Sequence, residues 1–146
     1  MIYLDASVLV AAVVDIEPFH APCARLLLSS ESKIVRSHGL AETFSTLTGG
    51  RLPLRLSPAV ANRLIEVNLL PRLRIVDLAA SDVIRAIADS ESRGVRGGAI
   101  HDLFHLFAAR KAKASTLYTL NLSHFQAFHR RGDPEVRLPE PDPSPP

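Results

Sequence analysis

Cysteine is almost absent from the sequence: Cys23 is the single one among 146 residues. A lone cysteine cannot form an intramolecular disulfide and cannot assemble a thiolate zinc cluster. A chain without disulfides is typical of a reducing compartment, so we expect a cytoplasmic location, with secretion left open. Cys23 has no neighbouring base in the sequence and is expected to fill space in the core.

Long hydrophobic runs are also missing. The first fourteen residues are mostly apolar, but they lack a basic start, contain Asp5 and are too short to span a bilayer. We therefore expect a buried strand followed by a helix at this position, without a targeting segment and without a membrane partner.

Several common catalytic and nucleotide-binding motifs do not occur. Gly49-Gly50 and Gly97-Gly98 lack the spacing of a Walker loop or a dinucleotide loop. There is no Gly-x-Ser-x-Gly elbow for a serine nucleophile, and no internal repeat is visible. The chemistry must therefore be sought in scattered residues that the fold brings together.

The excess of positive charge is small. Seventeen Lys and Arg against fifteen Asp and Glu give a formal net charge of +2. This balance permits nucleic-acid binding without demonstrating it, because specific binders usually carry a clustered basic patch. Solvated helix faces are the alternative interpretation of the moderate clusters present. The candidate nucleic-acid contacts are Arg93, Arg96, Arg110 and Lys113.

The composition is that of a folded domain, with 47% hydrophobic and 22% charged residues. The length fits one domain. We expect that domain to cover residues 1–138. The proline-rich residues 139–146 are expected to form a disordered tail.

Short apolar runs alternate with helical patterns along the chain. This alternation predicts an α/β domain with a parallel sheet flanked by helices. The strongest helical pattern is Ala99–Lys113, and another helix is expected from Ser81 with Ile84 and Ile87 facing inward. The expected strands are Met1–Leu4, Lys33–Arg36, Leu73–Leu78, Thr116–Thr119 and Glu135–Leu138.

Polar residues follow the ends of the expected strands. Asp5 directly follows the first strand, and Glu42 lies on the helix after the second. Asp102 lies in the first turns of the strongest helix, and Thr119 and Asn121 follow the fourth strand. Sites in parallel sheets form at the carboxyl ends of the strands, so we expect these side chains to converge at one edge.

Converging carboxylates suit Mg²⁺ or Mn²⁺, which prefer oxygen ligands. Without a cation the acids would repel one another. A bound metal ion could activate a water for attack on a phosphodiester. Asn121 could add an amide oxygen, and Ser7 and Thr119 could orient a ligand or a water through their hydroxyl groups.

Each of these residues also has a purely structural interpretation. Asp5 could cap the following helix, and Glu42 could face solvent. Asp102 could interact with the helix dipole, and Asn121 could be a turn or cap residue. The shared position beside strand ends is what favours a common site.

Two histidines suggest a different metal site. His101 and His105 are four residues apart on one helix face, next to Asp102, so a zinc site is conceivable. The sequence places no third nitrogen or sulfur ligand beside them.

Four segments resemble, in order and spacing, the motifs of PIN-domain ribonucleases. Met1–Ser7 is similar to that family's opening strand and acid, and His38–Thr43 to the segment with its internal acid. Gly97–Arg110 is similar to its third acidic motif, and Leu117–Phe125 to its closing motif. The resemblance covers the chain up to about Leu138.

The resemblance is to VapC-type toxins of type II toxin–antitoxin systems. It implies a three-layer sandwich around a mainly parallel sheet of four to five strands, and endoribonuclease activity that depends on Mg²⁺ or Mn²⁺. It also implies a homodimer, in some cases within a larger toxin–antitoxin assembly, and neutralisation by a VapB-like cognate antitoxin. We expect the antitoxin to bind along Pro18–Leu56.

By motif match, the resemblance makes Asp5, Glu42 and Asp102 the metal-binding acids and adds Asn121 to the catalytic set. The departure is Asn121 itself, where many members carry a fourth acid. That change removes one negative charge and bears on the number of bound metal ions.

Two rival interpretations remain open. One is a phosphotransfer or dehalogenase-like hydrolase with Asp5 as nucleophile, although Ser7 stands where such enzymes usually have a second Asp. The other is a PIN-like module that binds RNA or a protein without cutting, which Asn121 keeps in consideration.

Overall fold

The computed structural model describes residues 1–50, 52–53 and 55–141. The strands of the described residues are β1 (Ile2–Leu4), β2 (Lys33–Arg36), β3 (Leu73–Val76), β4 (Thr116–Tyr118) and β5 (Glu135–Arg137). Their α-helices are α1 (Ala6–Val13), α2 (His20–Leu28), α3 (Ser37–Thr48), α4 (Pro58–Leu64), α5 (Ala80–Arg93), α6 (Ala99–Lys111) and α7 (Leu122–Phe128). Helix α4 continues through a π-helical turn, Ile65–Leu69, and a 3₁₀ turn, Leu70–Arg72.

The described strands form one five-stranded sheet in the order β3-β2-β1-β4-β5. Every neighbouring pair in this sheet is parallel. The central strand β1 is buried at all three of its residues, as expected for a parallel strand covered on both faces. The predicted α/β fold with a parallel sheet is therefore confirmed.

Helices cover both faces of the sheet. Ile2 and Leu4 pack into a core with α1 to α4, whereas Tyr3 packs into a second core with α5 to α7. This division follows from the strand geometry, because successive side chains point to opposite faces. Cys23 is fully buried in the first core, as predicted. The three-layer sandwich is thus confirmed.

The inner face of α5 differs from the prediction. Ile84 and Ile87 are 66% and 54% exposed, so the expectation that they face inward was wrong. Asp82, Ala86 and Arg93 are the buried residues of this helix. Ala86 is one turn after Asp82 on the same face, and the two isoleucines lie on the opposite side.

Glycine at position 39 allows close packing beside the site. Gly39 is buried in the first turn of α3. A Cβ atom there would lie 2.8 Å from Val35 Cγ2 and 3.3 Å from His105 Cε1. Any larger side chain would push α3 away from β2 and α6.

The described part of the chain contains no helix that is long and apolar enough to cross a bilayer. The residues 139–141 are described, and the Arg25 guanidinium donates to the carbonyl of Glu140 at 3.1 Å. The rest of the expected tail, residues 142–146, lies outside the described residues.

Candidate functional site

Asp5 lies at the point where β1 ends and α1 begins. Its side chain is held by three donors: Oδ1 accepts from Ser7 Oγ at 2.5 Å and from the Val8 N–H at 3.2 Å, and Oδ2 accepts from Thr119 Oγ1 at 2.6 Å. Asp5 therefore does cap α1, and it also reaches across to the end of β4. The residue is only 3% exposed, so its orientation is fixed.

The two hydroxyl groups that hold Asp5 are themselves held by the loop after β4. The Leu120 N–H donates to Ser7 Oγ, and the Asn121 N–H donates to Thr119 Oγ1, both at 2.9 Å. Ser7 and Thr119 thus position Asp5, as the sequence suggested. Asn121 is the residue before α7, and its side chain makes no capping hydrogen bond among the described residues.

Glu42 faces the interior of the site from α3. Its Oε2 lies 2.7 Å from His105 Nε2, and its Oε1 lies 3.4 Å from His38 Nε2 and 3.8 Å from Arg36 Nη2. Burial alone would raise the pKa of Glu42. The hydrogen bond from His105 and the neighbouring positive charges outweigh burial, so the pKa lies below its ordinary value. Glu42 is therefore a carboxylate at neutral pH.

Asp102 completes the acidic group from the first turn of α6. Its carboxyl group is half-buried, and Oδ2 lies 3.6 Å from His124 Nδ1. Burial raises the pKa of Asp102, and the negative charges of Asp5 and Glu42 raise it further against the opposing effect of His105 and His124. Asp102 is thus close enough to both other acids to feel their charge.

Glu42 lines an open cleft of about 860 Å³, together with Ser7 and Asn121 among others. The donor set is made of oxygen atoms, which are the ligands that Mg²⁺ and Mn²⁺ prefer. Burial is the largest cause of the raised pKa of Asp102, and the negative charges of Asp5 and Glu42 add to it. A bound cation would offset those charges. The chemistry of these donor atoms therefore fits a divalent metal ion.

Sequence reasoning missed the group that orients Glu42. The Tyr3 hydroxyl accepts the Arg36 N–H at 3.2 Å and lies 2.8 Å from His105 Nδ1. Burial raises the pKa of Tyr3 far above its ordinary value, so the hydroxyl stays protonated. The other ring nitrogen, Nε2, carries the hydrogen of the 2.7 Å bond to Glu42, because a carboxylate oxygen can only accept. The sequence feature that could have indicated this role of His105 was its spacing from Asp102, since the two lie one turn apart on the same helix face.

The zinc pairing of His101 with His105, which the sequence left conceivable, is not formed. Both ring nitrogens of His105 are engaged in the interior, with Tyr3 and Glu42. The His101 ring is exposed and stacks on the His38 ring, with centroids 5.7 Å apart.

The four candidate basic residues differ in their exposure to solvent. Arg96, Arg110 and Lys113 are exposed. Arg93 is only 6% exposed, and its guanidinium pairs with Asp133 at 2.7 Å and with Asp89 at 3.0 Å. The expected RNA contact of Arg93 is therefore corrected to a buried ion pair that ties α5 to the segment before β5.

Comparison with known proteins agrees with the fold. The PIN domain family model matches residues 2–128. Ribonuclease VapC27 of Mycobacterium tuberculosis is 32% identical over 113 residues, which are 76% of this chain and 78% of that protein.

Two solved structures are similar in fold. One is VapC20 of Mycobacterium tuberculosis, described as a Sarcin-Ricin loop cleaving toxin. It has a TM-score of 0.70 and 20% identity, over 92% of this chain and 100% of that chain. The other is VapBC2 of Rickettsia felis, solved bound to a DNA fragment from its promoter. It has a TM-score of 0.67 and 21% identity, over 94% of this chain and 98% of that one. The chain belongs to the PIN-domain family and is of the VapC type.

Proposed function

We propose that the chain is an endoribonuclease that hydrolyses RNA phosphodiester bonds with the help of Mg²⁺ or Mn²⁺. The observation that carries this proposal is the placement of three acids on neighbouring elements, with Asp5 at the end of β1, Glu42 on α3 and Asp102 in the first turn of α6. The name of the relative VapC27, a ribonuclease, supports the same activity.

Each residue of the site has a proposed role. Asp5 and Asp102 would hold the cation most directly, and Glu42 would complete its ligands or orient the attacking water. Ser7 and Thr119 keep Asp5 in place through the hydrogen bonds described above. When bound, the cation would activate the water and stabilise negative charge on the phosphate. Asn121 offers an amide oxygen at the cleft without adding charge.

We propose that Arg96, Arg110 and Lys113 contribute phosphate contacts, because all three are exposed cations. Arg110 lies 3.6 Å from Asp133, but its side chain is 54% exposed and stays accessible to a phosphate. Phosphate contacts release counterions, so RNA affinity should fall as the salt concentration rises. Arg93 is left out of this set, since its charge is neutralised by Asp133 and Asp89.

We further propose that this ribonuclease is a cytoplasmic toxin, a homodimer neutralised by a VapB-like antitoxin. The proposed antitoxin face, Pro18–Leu56 without the undescribed residues 51 and 54, carries exposed apolar side chains. Phe19, Leu28 and Phe44 are 38%, 66% and 36% exposed. Exposed apolar side chains of this kind favour a protein partner.

The decisive experiment is incubation of purified protein with total RNA, with and without Mn²⁺, followed by mapping of the new ends. We expect cleavage that stops on chelation of the metal. Asp5→Asn and Asp102→Asn should abolish it, because each removes a charged metal ligand while keeping the shape of the side chain.

Asp15→Asn is the matched control, since it makes the same change at an exposed position and should cleave at the wild-type rate. Circular dichroism should show unchanged folding for all three variants. Cleavage by Asp5→Asn at the wild-type rate would refute the proposal.

A second candidate is a non-cleaving RNA-binding module, which the neutral Asn121 at the cleft favours. In that case the protein would bind RNA in the presence of Mn²⁺ and leave it intact. Gel-shift and end-mapping assays on the same RNA separate the two functions.

A further inference from the structure

We propose that His38, Glu42 and His101 form a second metal site, one that binds a divalent transition metal such as Zn²⁺. One ligand atom from each of the three side chains lies within 4.8 Å of the other two. The site differs in chemistry from the proposed Mg²⁺ centre because two of its ligand atoms are nitrogens.

Two helices bring these ligands together. His38 and Glu42 are four residues apart on α3 and therefore lie one above the other on one face, with His38 Nε2 at 3.4 Å from Glu42 Oε1. His101 comes from the first turn of α6, and its ring is nearly parallel to that of His38, at 13°. Phe104 packs edge-on against His101, with ring centroids 6.1 Å apart.

The ligand types select the metal. Imidazole suits Zn²⁺ and other first-row transition metals, whereas Mg²⁺ prefers oxygen. Two histidines and one glutamate leave a coordination position for water, as in open zinc sites. Both imidazoles are exposed, so small side-chain rotations can bring the nitrogens to a bonding distance of roughly 2.0–2.1 Å.

Glu42 is already prepared to act as a ligand. Its Oε2 is held by His105 at 2.7 Å, and its Oε1 faces His38. A ligating carboxylate that is hydrogen-bonded through its other oxygen is a common feature of metal sites. Glu42 Oε1 is thus closest to His38, at 3.4 Å, with Arg36 Nη2 farther away at 3.8 Å.

Glu42 belongs both to the proposed Zn²⁺ site and to the proposed Mg²⁺ or Mn²⁺ centre. The consequence for RNA cleavage rests on the proposed nuclease function. Zn²⁺ bound to His38 and His101 would take Glu42 away from the Mg²⁺ or Mn²⁺ centre. Zn²⁺ would then inhibit RNA cleavage, and the two metals would compete through one side chain.

Binding is tested by calorimetric titration of Zn²⁺ into chelator-treated protein without a histidine tag, and by the visible absorption of bound Co²⁺. We expect one Zn²⁺ per chain. His38→Gln and His101→Gln should each weaken binding about tenfold or more. His124→Gln, an exposed histidine outside the cluster, is the matched control and should bind as the wild type does.

The doubly substituted protein Asp5→Asn, Asp102→Asn should also retain the Zn²⁺ site while losing the Mn²⁺ site. Wild-type Zn²⁺ affinity in the doubly substituted protein His38→Gln, His101→Gln would overturn the inference, as would loss of Zn²⁺ binding on removal of the two aspartates.

Inhibition is measured as the Zn²⁺ concentration that halves Mn²⁺-supported RNA cleavage, with each variant normalised to its own rate without Zn²⁺. That concentration should rise about tenfold or more in His101→Gln. An unchanged value would contradict competition through Glu42. Absence of cleavage by the wild type would contradict the nuclease proposal alone, because the calorimetric result does not involve RNA.

Discussion

The orientation of Glu42 depends on a chain of hydrogen bonds through the protein interior. The Arg36 N–H, the Tyr3 hydroxyl and the His105 ring are linked in that order, and His105 ends on Glu42. His105 is 2% exposed, so no water competes for its donor. Metal ligands that are supported in this way keep a fixed position when the metal ion is absent.

Replacing His105 tests this support. His105→Leu should lower Mn²⁺ affinity about 10- to 100-fold, because loss of a group that orients a metal ligand typically has that effect. His105→Gln offers an amide donor in a similar place and should recover a large part of the affinity. Mn²⁺ titration gives the affinity, and thermal unfolding reports any loss of stability separately. Equal Mn²⁺ affinity in the Leu and Gln variants would contradict the positioning role.

Helix α5 is attached to α6 through one carboxylate. Asp82 accepts hydrogen bonds from the Ala79 N–H at 3.0 Å and from Arg85 and Lys111 at 2.6 Å each. The first of these satisfies an N–H at the start of the helix. The bonds from Lys111, Ala79 and Arg85 lower the pKa of Asp82 to about 2.

The pH dependence of thermal unfolding should reveal the contribution of the hydrogen bonds to Asp82. A carboxyl group with a lowered pKa in the folded state stabilises the protein above its ordinary pKa, and that stabilisation is lost as the pH falls through the folded value. Asp82→Asn should therefore unfold at a lower temperature than the wild type at pH 7. The difference should shrink as the pH falls from about 4 to about 2.

Thermal unfolding monitored by circular dichroism measures this difference. Glu91→Gln, at an exposed position of the same helix, removes one charge and keeps the hydrogen bonds of Asp82. Its unfolding temperature should show no comparable dependence on pH. A constant difference between the wild type and Asp82→Asn from pH 7 to pH 2 would be inconsistent with the lowered pKa.

At the scale of the whole molecule, we expect the proposed partners to cover exposed apolar side chains. Ile84 and Ile87 project from the outer side of α5, and Ile75 on the edge strand β3 is 47% exposed. We expect the α5 isoleucines to contribute to the proposed homodimer. Introducing charges there, as in the doubly substituted Ile84→Glu, Ile87→Glu protein, should produce a monomer, because unpaired charges are costly to bury.

Size-exclusion chromatography with light scattering measures the oligomeric state. Val60→Glu, at a 48% exposed position on α4, is the control and should leave the dimer intact. A doubly substituted protein that remains dimeric would assign the dimer to another surface.

A separate prediction concerns the proposed antitoxin face. Leu28 is 66% exposed on α2, so Leu28→Glu should leave folding unchanged while weakening antitoxin binding about tenfold or more, as expected for an apolar anchor of an interface. Leu138→Glu, at a 37% exposed position outside this face, is the control. Antitoxin affinity by calorimetry, together with relief of its inhibition of cleavage, provides the measurement. Unchanged affinity in Leu28→Glu would place the antitoxin elsewhere.

The sequence by itself determined the order of strands and helices and the positions of the acidic residues. Local patterns suffice for both, because apolar runs identify buried strands and the carboxyl ends of parallel strands meet at one edge. Asp5 follows from that rule, because it comes directly after β1. Glu42 and Asp102 lie on helices, and their resemblance to PIN-domain motifs is what predicted them as metal-binding acids. The element boundaries differ by only a few residues, as in β3, predicted to end at Leu78 and found to end at Val76.

Tertiary structure alone decided which side chains touch. The bond between Tyr3 and His105 spans 102 residues of sequence, and the bond between His105 and Glu42 spans 63. No local pattern encodes such contacts, because they depend on how the two helical layers pack on the sheet. The same packing buried Arg93 and exposed Ile84, in each case against the tendency of the residue type.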